Sequence, residues 1–251
     1  MDHQMERERA VRERRNECLE KELLRLRKMR FYEEQYPGLS LIGGVDEAGR
    51  GPLAGPVVAA CCVLPKDALI LYLDDSKKLS ERRRELLFPE ITKKALAFGV
   101  GIVGEKRIDE INILNASYEA MQLSILSVSS KLGRPPELLL NDAVTIPGIE
   151  IPQLPIIRGD SKSLSIAAAS VIAKVIRDRL MLRYDREFPG YGFARHKGYG
   201  TALHREKILS KGLCRIHRRS FVKKLFERAR EEEERGAKGQ DPGDGGQEEK
   251  S

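Results

Sequence analysis

Four carboxylates stand at places where apolar runs of the chain stop. Asp46 and Glu47 close the run of Leu41, Ile42 and Val45, Asp142 closes Leu138-Leu139-Leu140-Asn141, and Asp160 follows Ile156-Ile157-Arg158-Gly159 ahead of a long apolar-striped segment. Neighbours in a regular strand point to opposite faces, so Asp46 and Glu47 can serve one spot only where a strand ends and its twist relaxes. Strand ends are also where open α/β sheets place their chemistry. Gathered together, each close pair of these acids costs about 4 kcal/mol at ~4 Å and an effective dielectric of ~20. Such a cluster persists when cations occupy it, and oxygen-only donors select hard ions, so Mg²⁺ or Mn²⁺ is the expected cofactor. Two divalent ions ~3.5–4 Å apart are the standard device for in-line phosphodiester cleavage. Taken singly, Asp142 reads equally well as the opening of a turn and Asp160 as a helix cap. Taken together, three strand-end placements favour the metal.

The loop after the first pair of acids, Gly49-Arg50-Gly51-Pro52-Leu53-Ala54-Gly55-Pro56, wraps one cation in glycine. Glycines beside Arg50 let backbone N–H and C=O groups approach a ligand with no Cβ in the way, and a guanidinium pairs well with a phosphate oxygen. A tight turn alone would explain the same residues. Ser76 and Lys77, in Asp75-Ser76-Lys77-Lys78, suit phosphate contact. Lys174 and Arg177 read as packing and solubility, and His196, His204 and His217 show no metal-binding spacing and read as structural or phosphate-facing. Gly99–Gly104 fits G-x-G-x-x-G, but Val100, Ile102 and Val103 continue a strand through it. A dinucleotide fingerprint needs a helix opening there, so these glycines read as a bend or a close backbone approach.

The charge agrees with a polyanionic partner. The chain of 251 residues carries a net +7. Residues 37–230 hold 32 lysines and arginines against 21 acids, while residues 231–251 hold 3 against 8. A basic body with an acidic tail points to nucleic acid first. Cys18, Cys61, Cys62 and Cys214 lack C-x-x-C spacing, which argues against zinc and against a disulfide framework. With no apolar run of membrane-spanning length and a charged rather than signal-like beginning, the expectation is a soluble protein of the reducing cytoplasm.

The elements that must position these groups alternate. Leu41–Asp46, Val57–Leu64, Ala97–Val103, Leu138–Asp142 and a short Ile156-Ile157 read as strands. Ser80–Leu96, capped by Ser80, reads as a helix. Leu114–Lys131 is a second, stopped near Gly133, and Ser165–Phe188 a third, with Ile166, Ala169, Ile172, Ala173, Ile176 and Leu180 at helical spacing. A last basic helix begins near Ser220. Residues 5–34 predict an accessory helix with a short stripe of Leu19, Leu23, Leu24 and Leu26. The Gly-, Asp- and Gln-rich end predicts disorder.

GVDEAGRGPLAGPVVAA, from Gly44, closely resembles the signature of type 2 ribonuclease H, the bacterial ribonuclease HII family. The likeness continues in Asp75–Ser80, Asn112–Ser117, GDSKSLSIAAASVIAKVIRDRLM (Gly159–Met181), YGFARHKGYGT (Tyr191–Thr201) and IHRRSF (Ile216–Phe221). The resemblance implies an α/β ribonuclease H-like fold: a mixed five-stranded sheet flanked by helices, with a helical carboxy-terminal subdomain. The implied layout is a charged helical extension at 1–38, a catalytic domain at 39–190, the helical subdomain at 191–230 and a tail at 231–251. It implies Asp46, Glu47, Asp142 and Asp160 as metal ligands, and Gly49, Arg50 and Gly51 as the backbone that reads a ribose 2′-OH. Tyr199 is similar to the family tyrosine that packs on the sugar following the ribonucleotide. Asp at the fourth position, and a head too short for an extra domain, separate the chain from type 3 enzymes. Gly212-Leu213-Cys214-Arg215 departs from the proline-containing stretch of many members, which bears on the local loop shape.

The implied activity is hydrolysis of RNA in RNA–DNA hybrids and nicking 5′ to single ribonucleotides in duplex DNA, by a monomer with no membrane partner. A non-catalytic hybrid-binding protein is the rival from another class, and intact carboxylates argue against it. A related nuclease acting on DNA alone is the second rival, opposed by Gly49-Arg50-Gly51 together with Tyr199.

Overall fold

The computed structural model describes residues 2–223, 226 and 227, with the backbone alone for residues 2–11. The tail expected at 231–251 lies outside the described residues. Helices α1 (Asp2–Lys28) and α2 (Phe31–Glu34) lead into strands β1 (Ile42–Ala48) and β2 (Val57–Val63). Then come α3 (Glu81–Lys94), β3 (Ala97–Val103), α4 (Glu105–Leu132), β4 (Leu138–Asp142) and β5 (Gln153–Ile156). A 3-10 turn at Gly159–Ser161 precedes α5 (Leu164–Glu187), α6 (Phe193–His196) and α7 (Ala202–Lys211). Residues 219–223 are helical again.

The sheet has the order β3-β2-β1-β4-β5. β1 and β3 run antiparallel to β2, whereas β4 lies parallel to β1 and β5 parallel to β4. That mixture places the carboxyl ends of β1, β4 and β5 on one side, which is where the candidate acids sit. All seven residues of β2 are buried, because helices cover both faces of the sheet. One face carries α5 with Ala60, Cys62, Leu87 and Ile91, and the other carries α4 with Val45, Ala59, Cys61 and Met121. Cys61 and Cys62 are core residues, as expected, and burial pushes the Cys61 thiol up to about 12.

Close approach of helix to sheet sets the glycine positions. A Cβ on Gly44 would lie 2.1 Å from the Ser165 carbonyl carbon, so α5 begins directly across β1 with no side chain between them. Gly99 and Gly101 do the same for α4, with Ser124 O and Ala120 O at 2.1 and 1.9 Å from the built Cβ positions. The G-x-G-x-x-G match is therefore a packing pattern.

Three elements differ from expectation. The last strand is Gln153–Ile156, and Ile157 is exposed outside it; a strand with polar Gln153 and Pro155 is tolerated because β5 is an edge. The helix after β3 starts at Glu105, and Asn112 (φ 64°) breaks it while its Oδ1 accepts from the backbone of Leu114 and Asn115. The expected Leu114–Lys131 segment is the part after this internal cap. The amino-terminal helices are docked rather than merely appended. Leu26 and Met29 are buried against the α5 layer, although Leu19, Leu23 and Leu24 are exposed. Arg25 donates to Leu73 O (2.7 Å) and Arg30 to Ala68 O (2.6 Å). Glu33 accepts from Ser163 Oγ (2.6 Å), Ser165 Oγ (2.7 Å) and Ser165 N (3.1 Å) at the start of α5. Among the described residues no helix is long and apolar enough to cross a membrane.

Gly44→Ala should lower unfolding stability by about 3 kcal/mol, because backbone atoms of α5 must move. Gly38→Ala, where a Cβ meets nothing within 4 Å, should stay within about 0.5 kcal/mol. Urea unfolding of both variants checks this, and equal midpoints would contradict the packing account.

Candidate metal centre and nucleic-acid interface

Asp46 shares the α5 face of β1 with Gly44, by strand alternation. It is 3% exposed, and its Oδ1 accepts the Glu47 N–H at 2.7 Å. Asp142 is the last residue of β4, and its Oδ1 accepts the Gly159 N–H at 2.7 Å, which ties it to the turn carrying Asp160. Each of Asp46, Asp142 and Asp160 offers a carboxylate oxygen, and all three oxygens lie within 4.8 Å of one another. Burial, followed by the charges of Glu47 and Asp142, pushes the Asp46 carboxyl well above the usual range. Burial, then Asp142 and Asp75, pushes Asp160 up as well. Lys77 Nζ stands 3.2 Å from Asp160 Oδ2 on an exposed side chain, and Asp160 holds its ammonium up at about 12 against the opposing effect of burial. The donor set is anionic, oxygen-only and short of positive charge, which fits a hard divalent cation.

Glu47 is not one of the three residues whose oxygens gather within 4.8 Å, although its charge still acts on Asp46 and Asp142. The strand does not relax at Asp46: its pairing continues through Asp46↔Ala60, Glu47↔Ala59 and Ala48↔Val58. Regular alternation therefore directs Glu47 away from the Asp46 face, and Glu47 Oε1 lies 3.6 Å from Arg50 Nη1. Burial pushes its carboxyl up, Arg50 opposes, and the charge of Asp142 adds to the rise.

Gly49-Arg50-Gly51 is clamped from beneath by an arginine from the IHRRSF segment. Arg218 donates to Gly49 O (2.6 Å), Arg50 O (2.9 Å) and Gly55 O (2.9 Å). Arg177 donates to Pro56 O (3.0 Å) and Ala54 O (3.2 Å). Both guanidiniums are 0% exposed. Burial lowers both, Arg218 to about 9, where the charge of Arg177 adds to the effect. Gly49 takes φ 98°, and a Cβ there would lie 2.1 Å from Arg177 Nε. Gly51 by contrast faces open space with the Tyr199 ring at its edge, 4.0 Å from a built Cβ. Tyr199 is 45% exposed, so an aromatic face stands at the surface beside the bare backbone of Gly51.

Ser76 is placed in the interior. Its hydroxyl accepts from Ser170 Oγ at 2.7 Å and its carbonyl from Arg84 at 2.9 Å, because the loop turns inward to seat Arg84; only Lys77 of that pair reaches the site. Sequence reasoning missed Arg218 and read Arg177 as packing and solubility; Arg177 is a packing residue, fully buried on loop carbonyls. The signal was there for Arg177, which continues the stripe Ile166, Ala169, Ala173 at the same spacing. A cation on a buried stripe must find carbonyls.

The comparisons with known proteins agree with this geometry. The family model described as Ribonuclease HII matches residues 43–229. The chain is 57% identical over 213 residues to the Ribonuclease HII of Lachnoclostridium phytofermentans, covering 85% of this chain and 82% of that protein. It is 53% identical over 210 residues to that of Caldanaerobacter subterraneus, covering 83% and 86%. The crystal structure of ribonuclease H2 from Pyrococcus horikoshii matches with a TM-score of 0.62 and 27% identity, over 76% of this chain and 99% of that one.

Two outcomes follow from the electrostatics. The raised carboxyls of Asp46 and Asp160 make the metal-free folded state bind protons more readily than the unfolded chain, so stability falls as pH rises through that window. Asp142→Asn keeps the oxygen that Gly159 N–H requires and removes one charge; it should raise metal-free stability at neutral pH by about 1–3 kcal/mol and flatten the slope. Urea midpoints in chelator across pH test this, and an unchanged slope contradicts it. Arg218→Lys should cost about 2–3 kcal/mol in the same assay, since a point-like ammonium cannot span the carbonyls that Nε, Nη1 and Nη2 reach separately.

Proposed function

Because the chain belongs to the ribonuclease HII family, whose members are metal-dependent enzymes that hydrolyse RNA in RNA–DNA hybrids, we propose that it also nicks duplex DNA on the 5′ side of a single embedded ribonucleotide. The observation that carries this reading is the exposed Tyr199 ring standing against Gly51, in the loop that directly follows Asp46 and Glu47. Bare peptide groups beside an exposed aromatic ring suit one sugar, and the 2′-OH is the handle that tells RNA from DNA at that sugar.

Asp46, Asp142 and Asp160 would hold the divalent cations, Mg²⁺ or Mn²⁺, and Glu47 would complete the set on leaving Arg50. When bound, two such ions supply Lewis acidity and a more acidic water. The protein's own groups select and orient. Peptide groups of Gly49, Arg50 and Gly51 hydrogen-bond the 2′-OH, and Tyr199 packs on the following sugar. Arg50 and Lys77, both exposed and both within reach of site carboxylates, pair with phosphate oxygens once cations neutralise those acids. Water attacks phosphorus in line as the bond to the 3′ oxygen of the preceding nucleotide breaks, which leaves 3′-hydroxyl and 5′-phosphate ends. A monomer acting in the cytoplasm belongs to the same reading.

The test uses labelled duplexes carrying one ribonucleotide, a longer RNA run or DNA alone, each with Mg²⁺, Mn²⁺ or chelator. Metal-dependent nicking 5′ to the lone ribonucleotide, lost in Asp142→Asn, is the expected result. Cleavage confined to the long RNA run would remove the single-ribonucleotide role of Gly49-Arg50-Gly51 and Tyr199. Cleavage of the all-DNA duplex would favour a different nuclease.

A further inference from the structure

Behind Tyr199 lies a chain of buried imidazoles that the proposed reaction does not use. His204, His217 and His196 are 0%, 3% and 6% exposed. His204 Nδ1 is 2.9 Å from the Tyr199 carbonyl oxygen, and His204 Nε2 is 3.1 Å from His217 Nε2. The Cys214 N–H donates to His217 Nδ1 at 2.9 Å, with Cys214 Sγ also at 3.1 Å. On the other side, His196 Nε2 is 2.8 Å from the Tyr191 carbonyl oxygen, and His196 Nδ1 accepts the Gly198 N–H at 3.2 Å. The rings of His196 and His204 stack at 4.3 Å.

These partners leave one arrangement of protons. A carbonyl only accepts, so His204 carries its proton on Nδ1, and its Nε2 is then an acceptor. His217 must donate from Nε2, which leaves Nδ1 bare for the Cys214 N–H. The Cys214 carbonyl also lies 3.2 Å from His217 Nδ1. Using it would set two lone pairs against each other across the 3.1 Å contact, and that carbonyl already accepts the His217 N–H. By the same logic His196 carries its proton on Nε2. Burial, together with the neighbouring histidines, lowers His204 to about 4 and keeps it neutral; burial lowers His217 too.

The loop they hold is one that would not keep its shape unaided. Lys197 (φ 50°) and Gly198 (φ 84°) are consecutive left-handed residues immediately before Tyr199, and a non-glycine residue there persists only when its surroundings over-determine it. Burying an imidazole is costly unless it is hydrogen-bonded, and here the bonds go to the peptide groups on either side of the tyrosine. The geometry points to His204 and His196 as positioning residues for Tyr199, neutral rings of opposite tautomer that hold its ring beside Gly51, with His217 setting the tautomer of His204. This rests on the role of Tyr199 given above and adds what fixes its place.

The experiment measures KM and kcat of the full chain with Mg²⁺ on the single-ribonucleotide duplex. His204→Leu fills the volume but cannot donate to the Tyr199 carbonyl, and should raise KM about tenfold, the worth of one hydrogen bond, with kcat changed less than twofold. His204→Asn, whose amide reaches the Nδ1 position, should recover most of the loss. In a Tyr199→Ala background, His204→Leu should add nothing. A loss in Tyr199→Ala with none in His204→Leu, or losses that multiply, overturns the inference alone. No loss in Tyr199→Ala overturns the Tyr199 reading and the inference with it. Should His204→Leu not fold, ¹⁵N spectra of the unsubstituted chain still decide: protons on Nδ1 of His204 and on Nε2 of His217 and His196 are required, and a shared tautomer for His204 and His217 refutes it.

Discussion

Like charges at the mouth of the sheet repel one another, and the backbone around Asp46, Asp142 and Asp160 keeps them within 4.8 Å all the same. Strand pairing supplies the restraint. β4 lies parallel to β1, so both strands end on the same side, and the Gly159 N–H bonded to Asp142 draws in the turn that carries Asp160. None of these bonds could relax without breaking the ladder or the start of α5. The repulsion is thus borne by the most buried part of the molecule, where few alternative arrangements exist.

A second imbalance of charge lies a few residues away with the opposite sign. Among the described residues no carboxylate pairs with buried Arg177 or Arg218, and five backbone carbonyls accept their hydrogen bonds. Peptide dipoles stabilise a guanidinium less than an acid would, so part of the positive field remains. It reaches the loop that would meet a phosphodiester. In the proposed reading the site would pair an anionic pocket for cations with a cationic floor for the substrate, and the Gly49–Gly51 loop separates them.

Much of this was legible in the sequence, for a physical reason. Acids that interrupt apolar runs mark strand ends, and the carboxylates at Asp46, Asp142 and Asp160 were visible on that ground alone. The position of Glu47 was harder to read: Val58–Ala60 keep β1 paired past Asp46, so Glu47 rests beside Arg50 while its charge still acts on Asp46. Ser76 resembled a loop residue because nothing local shows that Arg84 draws the loop inward. The docking of α1 and α2 was hidden too, since its exposed leucines outnumber its buried ones and its anchors are single polar contacts to distant carbonyls. Asn112 gave no periodic signal, because an internal cap looks like any polar residue on a helix.

Glu33 has a bearing on the order in which the molecule is made. Its partner Ser163 lies 130 residues further along the chain, whereas Arg30 and Arg25 reach carbonyls only 38 and 48 residues away. Contacts of such separation form late, after shorter loops have closed. By that measure the loop at Ala68 and Leu73 is the first to hold the amino-terminal helices. The start of α5 adds its bonds to Glu33 afterwards, and one carboxylate then joins α2 to α5.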